Sequence, residues 1–214
     1  MTSREALHTQ LEAGVESLGL DLPAGVLQRQ LDYLELLAKW NAHYNLTAVR
    51  DPQAMVTLHL LDSLAALPYL QGDTVADIGS GAGLPGIPLA LASPGRHFTL
   101  VDSNGKKVRF LRAAVRELGL ANVTPVQSRA EELEGRFDCL TTRALANLAD
   151  MLAWCGHLLA PSGRLLALKG RYPEDELAHL DAPFRLAKAL PLTIPGLEAE
   201  RHLLIIDRGE RQAI

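Results

Sequence analysis

Cysteine is nearly absent from this chain: Cys139 and Cys155 are the only two among 214 residues. Two thiols cannot make a disulfide framework, so the core has to hold the fold, and a reducing compartment is the default setting. Long apolar runs are missing as well. No stretch approaches the roughly 20 residues of a membrane-spanning helix, and the start, MTSREALHTQLEAGVES, has no apolar block of signal-peptide type. No membrane contact is therefore expected, and a cytoplasmic location is. No His or Cys spacing resembles a metal site, so no metal is expected. Positive charge is not in excess either: the net charge is −4. That excludes a protein that coats nucleic acid indiscriminately, while a local basic face remains compatible with an RNA substrate.

What is present is an ordinary globular composition, 48% hydrophobic and 21% charged. A chain of this length buries roughly 70% of the surface its unfolded form exposes, so no staples are needed. The first third reads as helical. Leu7, Leu11, Val15 and Leu18 fall at helical spacing, and Leu27, Leu31, Leu34 and Leu37 form an apolar stripe on a second helix. Asp51-Pro52 opens a third, running to about Leu67, with the aspartate as N-cap and the proline at the first helical position. From Thr74 the rhythm changes to short strands, TVADIG, HFTLVD, VTPVQS, RFDCLTT and RLLALK. Helices fit between them at Gly86–Ala92, Lys106–Leu118 and Leu145–Leu159, with a short turn at Ala130–Leu133. Such alternation predicts an α/β protein with a mostly parallel sheet. FRLAKALPLTI and RHLLIIDR are separated by a loop too short for a helix, which predicts an antiparallel hairpin at the sheet edge. The expected organisation is an N-terminal helical extension, residues 1–70, packed on a single core of residues 71–214.

The stretch VADIGSGAGLPGIPLALA joins the first strand to its helix. Glycine is needed there where the backbone turns sharply and where it must meet a ligand without an intervening Cβ. Two parses compete. Gly81-Ala-Gly83-Leu-Pro-Gly86 spells G-x-G-x-x-G, a dinucleotide signature; Asp77-Ile-Gly79-Ser80-Gly81-Ala-Gly83 spells D-x-G-x-G-x-G, which suggests S-adenosylmethionine. Asp102, ending the second strand, can accept hydrogen bonds from a ribose in either case. Asp77 before the glycines and Pro85, which removes an N–H that a pyrophosphate would use, tilt toward S-adenosylmethionine. Asp77, Gly79, Ser80, Gly81, Gly83 and Asp102 are the candidate cofactor residues. An NAD-type oxidoreductase, or a binding module without turnover, remain the alternatives.

Arg129, Arg143, Lys169 and Arg171 fall at or just beyond the carboxyl ends of strands three to five, where open α/β sheets bind ligands. Each is either an ion-pair partner or a hand on an anionic substrate. Lys106, Arg109, Arg112 and Arg116 give one helix a basic face, a solvated surface or a phosphate track. Asn45 is either a helix C-terminal residue or a contact for substrate. His59 and Asp62, three apart on one helix, are expected as a buried bonded pair. Cys139, inside a strand, reads as a core thiol. An Asn/Asp-Pro-Pro-aromatic segment, used to methylate exocyclic amines, is lacking.

In this order, NLTAV, HLLDSL, VADIGSGAGLPGIPLALA, VDSNGKKVRFL, SRAEE, TTRAL and ALKG resemble the glucose-inhibited division protein B family. The resemblance runs from about Trp40 to Gly170. It implies a Rossmann-like, class I methyltransferase fold with a seven-stranded sheet, S-adenosylmethionine as cofactor, and 16S rRNA or a small-subunit ribosomal particle as partner, with no obligate protein partner. The activity implied is methylation of N7 of one guanine. By position, Gly79 and Leu84 would line the methionine and ribose side, Asp102 the ribose, Ala130 and Glu131 the adenine, and Arg143 the junction between cofactor and RNA. Asn45, Arg129 and Lys169 match motif positions on the RNA side, with Arg171, Lys106 and Arg109 as further RNA candidates. N7 carries an in-plane lone pair and no proton, so no general base is expected.

Overall fold

The computed structural model describes residues 3–143 and 146–209. Seven strands form one sheet: β1 (Thr74–Ile78), β2 (His97–Asp102), β3 (Val123–Gln127), β4 (Phe137–Arg143), β5 (Leu159–Lys169), β6 (Phe184–Pro191) and β7 (His202–Arg208). Their spatial order is β3-β2-β1-β4-β5-β7-β6. The first five are mutually parallel, and β7 runs antiparallel between β5 and β6. The order reverses at β1, so the carboxyl ends of β1 and β4 open a crevice where such sheets receive ligands. β1 is central and buried on both faces, with Asp77 its one buried charged residue. Pro125 sits in edge strand β3, where a missing N–H is tolerated. The strands lie where the sequence puts them, except that β5 begins five residues early, at Leu159, and β6 ends three residues early, at Pro191.

Helices cover both faces. α5 (Gly86–Ala92) and α6 (Gly105–Glu117) lie on one side; α7 (Leu148–Cys155) covers the other. Leu145, where the sequence starts this last helix, lies outside the described residues. A short helix α8 (Glu174–Leu177), absent from the sequence reading, follows β5.

The N-terminal helices α1 (Arg4–Ser17) and α2 (Val26–Tyr44) join the same apolar core as α5 and α6. The α2 stripe is wider than the leucine spacing predicts. Leu31, Leu34 and Leu37 are buried and Leu27 only half so, but Gln30, Tyr33 and Asn41 are buried too. The reason is that α2 is sandwiched between α1 and the α5–α6 layer, and its polar side chains satisfy backbone groups of α5 and of loops. Gln30 donates to the Pro88 carbonyl at 2.8 Å, and the Tyr33 hydroxyl donates to that of Ala82, inside the glycine-rich loop, at 2.7 Å. Burial raises the Tyr33 pKa and keeps the phenol a donor.

The helix opened by Asp51 is not regular. α3 (Pro52–Met55) passes into a π-helical turn, Val56–Leu61, then α4 (Asp62–Leu64) and a 3-10 turn, Leu67–Tyr69. The Asp51 side chain accepts from the Ala54 N–H, as an N-cap does. Within the π turn the Asp62 N–H bonds to the carbonyls of Thr57 and His59. The Leu58 carbonyl, which a regular α-helix would pair with that N–H, is thereby released.

Tyr33→Phe keeps the ring but leaves the buried Ala82 carbonyl unpaired. Urea denaturation is expected to show a loss of about 1–3 kcal/mol; an unchanged midpoint would mean that α2 does not tie down the loop.

Candidate functional site

The glycine-rich loop is organised by a carboxylate. Asp77, the fourth residue of β1, is fully buried. It accepts from the Ser80 hydroxyl, from the Gly86 N–H at 3.1 Å and from the Thr141 hydroxyl on β4 at 3.0 Å. Burial, the leading effect, raises its pKa from 3.8 to about 6 against the pull of these donors and of Arg143. Gly79, Gly81 and Gly83 have φ of 70°, 59° and 88°, a region that side chains disfavour. A Cβ on Gly86 would stand 2.3 Å from Leu100 and 2.7 Å from the Asp77 carboxylate, so only glycine brings its N–H within reach.

Asp102, at the end of β2, accepts from the Gly81 N–H at 2.9 Å and the Asn104 N–H at 2.8 Å, with the Lys107 ammonium 3.7 Å away. A carboxylate has about four acceptor positions, so two remain for a ligand's hydroxyls. The loop and Asp102 border a cleft of about 510 Å³, within the range of small-molecule sites. Gly79, Asp102, Arg129, Ala130, Glu131 and Arg143 all line it, as do Ser128, Lys107 and Trp154. Ser80, Gly81 and Gly83 form the turn behind it, and Leu84 is buried in the core.

Arg143 also borders a second cavity, of about 320 Å³, together with Asp62, Lys169, Gly170 and Arg201. Arg143 donates to the Leu58 carbonyl at 2.9 Å, the group freed by the π turn, and to Asp62 at 3.0 Å. Arg201 donates to the other Asp62 oxygen at 3.1 Å. A 98% buried carboxylate thus lies between two arginines. Lys169 donates to the Ala146 carbonyl at 2.7 Å and to Glu176 at 2.9 Å.

The expected His59–Asp62 bond does not form. His59 faces the Thr47 hydroxyl at 3.0 Å, while Asp62 turns to the arginines, because the π turn alters the angle between the two positions. Burial and the nearby Arg143 lower the His59 pKa to about 4, so the ring is neutral. Asn45 ends α2 in the left-handed conformation, φ 49°, and accepts from Arg50. It lines neither cavity. Lys106 and Arg109 are exposed on α6, and Arg171 is exposed beyond β5. Cys139 and Cys155 are buried, their thiol pKa values pushed by burial to about 11 and about 12.

Sequence reasoning missed four residues. Lys107 is one position along α6 from a residue that was noted. Trp154 and Tyr33 look like core aromatics, and Arg201 reaches the site from 139 residues beyond Asp62. None carries a local signal.

A family model described as GidB, rRNA small subunit methyltransferase G, matches residues 27–204. The chain belongs to this family. Among GidB relatives named ribosomal RNA small subunit methyltransferase G, that of Alteromonas mediterranea is 50% identical over 206 residues, covering 95% of this chain and 98% of that protein. That of Stenotrophomonas maltophilia is 54% identical over 198 residues, 92% of each. Solved structures share the fold at lower identity. A methyltransferase from Geobacter sulfurreducens superposes with TM-score 0.56 at 17% identity, covering 89% of this chain and 99% of that one. The ribosomal protein L11 methylase of Lactobacillus delbrueckii gives 0.54 at 18%, covering 70% and 77%. The GidB fold is therefore the Rossmann-like methyltransferase fold, and S-adenosylmethionine is the methyl donor, which selects the D-x-G-x-G-x-G parse of the loop.

The raised Asp77 pKa has a pH signature. The folded state holds the proton more tightly than the unfolded chain does, so this group's favourable contribution is complete below pH 4 and lost as pH rises to about 6. The stability difference between wild type and Asp77→Asn should fall by up to about 3 kcal/mol across that window. Thermal unfolding at stepped pH measures it, and a pH-independent difference would show that the carboxyl titrates normally.

Proposed function

We propose that this chain methylates small-subunit ribosomal RNA, 16S in type, at N7 of a single guanine. The observation that carries this reading is the meeting of two cavities at Arg143, a nucleoside-sized cleft on one side and a cation-lined pocket on the other. When bound, S-adenosylmethionine would supply a methyl group on a sulfonium centre; as the in-plane lone pair of guanine N7 forms the new carbon–nitrogen bond, the carbon–sulfur bond would break and its electron pair would leave with the neutral thioether.

The residues fit the cofactor by their donors and acceptors. Asp102 keeps acceptor capacity for ribose hydroxyls, and the loop between Gly79 and Gly86 presents backbone without side chains. Ala130 and Glu131 frame the adenine end, against which α7 packs. Trp154 completes that wall, and its indole N–H has no acceptor among the described residues, although its ring lines the cleft. Arg143 cannot swing freely. Its bonds to Leu58 and Asp62 fix it as a partition between cofactor and target base, so its role is orientation. N7 has no proton to lose, and no general base is required; rate enhancement then rests on positioning, for which effective molarities are large. N7 lies on the deep, narrow major-groove edge of A-form RNA, so the target is a guanine in a loop or one displaced from its stack. Arg129, Arg171, Lys106 and Arg109 are the cations available to the RNA backbone; Lys169, already paired with Glu176, acts by holding the rim of the pocket.

Methyl transfer from labelled S-adenosylmethionine to 16S rRNA and to small-subunit particles lacking the modification tests this directly. Label is expected in N7-methylguanine at one position; label in another base, or none, overturns the assignment. The cleft is tested separately by intrinsic fluorescence, since the chain has two tryptophans. Adding S-adenosylmethionine should change the emission of wild type and of Trp40→Phe, and leave that of Trp154→Phe unchanged. A response that survives Trp154→Phe and disappears in Trp40→Phe would remove Trp154 from the cofactor site.

A further inference from the structure

A third cavity, of about 360 Å³, continues the line beyond Arg201. Tyr172, Pro191, Leu192, Glu200 and His202 line it with Arg201 itself. The cofactor cleft and the target pocket thus share Arg143 as a wall, and the target pocket and this third space share Arg201. All three lie at the same end of the sheet, because Lys169 at the end of β5 pairs with His202 at the start of antiparallel β7.

The third space is built around an exposed aromatic. Tyr172 is 47% exposed, an unusual place for so large a ring in a chain this poor in aromatics. Its ring meets His202 edge-on, with centroids 5.7 Å apart at 66°. The His202 Nδ1 donates to the Gly170 carbonyl at 3.0 Å, which fixes the imidazole and braces the tyrosine from below. About half of Tyr172 is left to solvent. Next to it Arg171 is exposed and has no ion-pair partner among the described residues, and Glu200 is exposed with its carboxylate equally unpaired.

We infer that Tyr172 is a stacking platform for an RNA nucleotide flanking the target guanine. The inference rests on the assignment of the Arg143 pocket to that guanine. A flat aromatic beside an unpaired guanidinium is what single-stranded nucleic acid uses, the ring for the base and the cation for the phosphate. The charges set the orientation. Inside the cavity the Arg201 guanidinium is already held by Asp62, so the unpaired Glu200 repels a phosphate there and accepts from the amino or imino groups of a base edge, while Arg171 is exposed outside the lining. The base therefore points in and the backbone runs outside. Pro191 and Leu192 give the base an apolar floor. The space suits one base and is too small for a helix of a protein partner.

The test compares Tyr172→Ala, Tyr172→Phe and Tyr172→Trp with wild type in methyl transfer to small-subunit rRNA, together with S-adenosylmethionine binding and thermal unfolding. Tyr172→Ala is expected to raise KM for RNA about 5- to 100-fold, the change that corresponds to one base–aromatic stack. Cofactor affinity and unfolding temperature should stay as in wild type, and Phe and Trp should restore KM because the ring carries the effect. Ultraviolet cross-linking to bound RNA should label the peptide that contains Tyr172. If wild type methylates the RNA and Tyr172→Ala matches its KM, the platform is wrong and the function stands. A Phe variant as impaired as Ala likewise overturns stacking. If wild type methylates no RNA at all, the function falls and the platform falls with it.

Discussion

A carboxylate shut away from water is the constraint on which this structure turns. Asp77 has no solvent to satisfy it, so its acceptors must be filled by the protein, and the three groups that fill them come from places that would otherwise move independently. Ser80 and Gly86 stand at the two ends of the glycine-rich loop, and Thr141 belongs to the neighbouring strand β4. Ser80 and Gly86 share one carboxylate oxygen, while Thr141 alone meets the other, so losing the Thr141 hydroxyl leaves a buried oxygen unpaired, which costs more than an ordinary hydrogen bond contributes. The loop is therefore shaped before any ligand arrives, and Tyr33 holds its outer side from α2. Such pre-ordering keeps the entropy of loop closure out of the binding step.

Asp62 solves the same problem by the opposite means. Asp77 is met by neutral donors; Asp62 is met by two guanidinium groups, one from β4 and one from the start of β7. A single buried charge between two opposite ones leaves a net positive wall, suited to an anionic polymer, while both arginines stay fixed in direction. The cost of burying Asp62 is offset only while both partners are in place, so the N-terminal helices and the two halves of the sheet are bound into one unit around this ion triad.

Much of this was legible in the sequence. The short β-rich runs and the glycine-rich turn located β1, β2 and α5 with almost no error, since burial of a central parallel sheet imposes apolar composition locally. Asp77, Gly79, Asp102, Ala130, Glu131 and Arg143 were singled out from spacing or resemblance, and Gly79, Asp102, Ala130, Glu131 and Arg143 share one cleft. What could not be read depends on who faces whom across the fold. Arg201 looks like one more charge before a strand, and only the antiparallel turn of β7 brings it to Asp62. Gln30 and Tyr33 break the apolar stripe of α2 because their partners are backbone carbonyls far along the chain, one in α5 and one in the glycine-rich loop. His59 and Asp62 were separated by a helical irregularity that no residue in VTLHLL announces.

That irregularity has a consequence for which sequences this architecture will accept. A π turn holds one residue more than the helix around it, so shortening the segment between Met55 and Asp62 by one position would restore regular pairing, with the Asp62 N–H bonded four residues back and no carbonyl left over between them. Arg143 would then lose the Leu58 carbonyl that now holds it beside Asp62, whatever apolar side chains the segment kept. Length here is constrained more tightly than identity. Lineages of this fold are expected to exchange valine, leucine and methionine freely across the turn while conserving its residue count, a form of inheritance visible in alignment gaps and not in conserved letters.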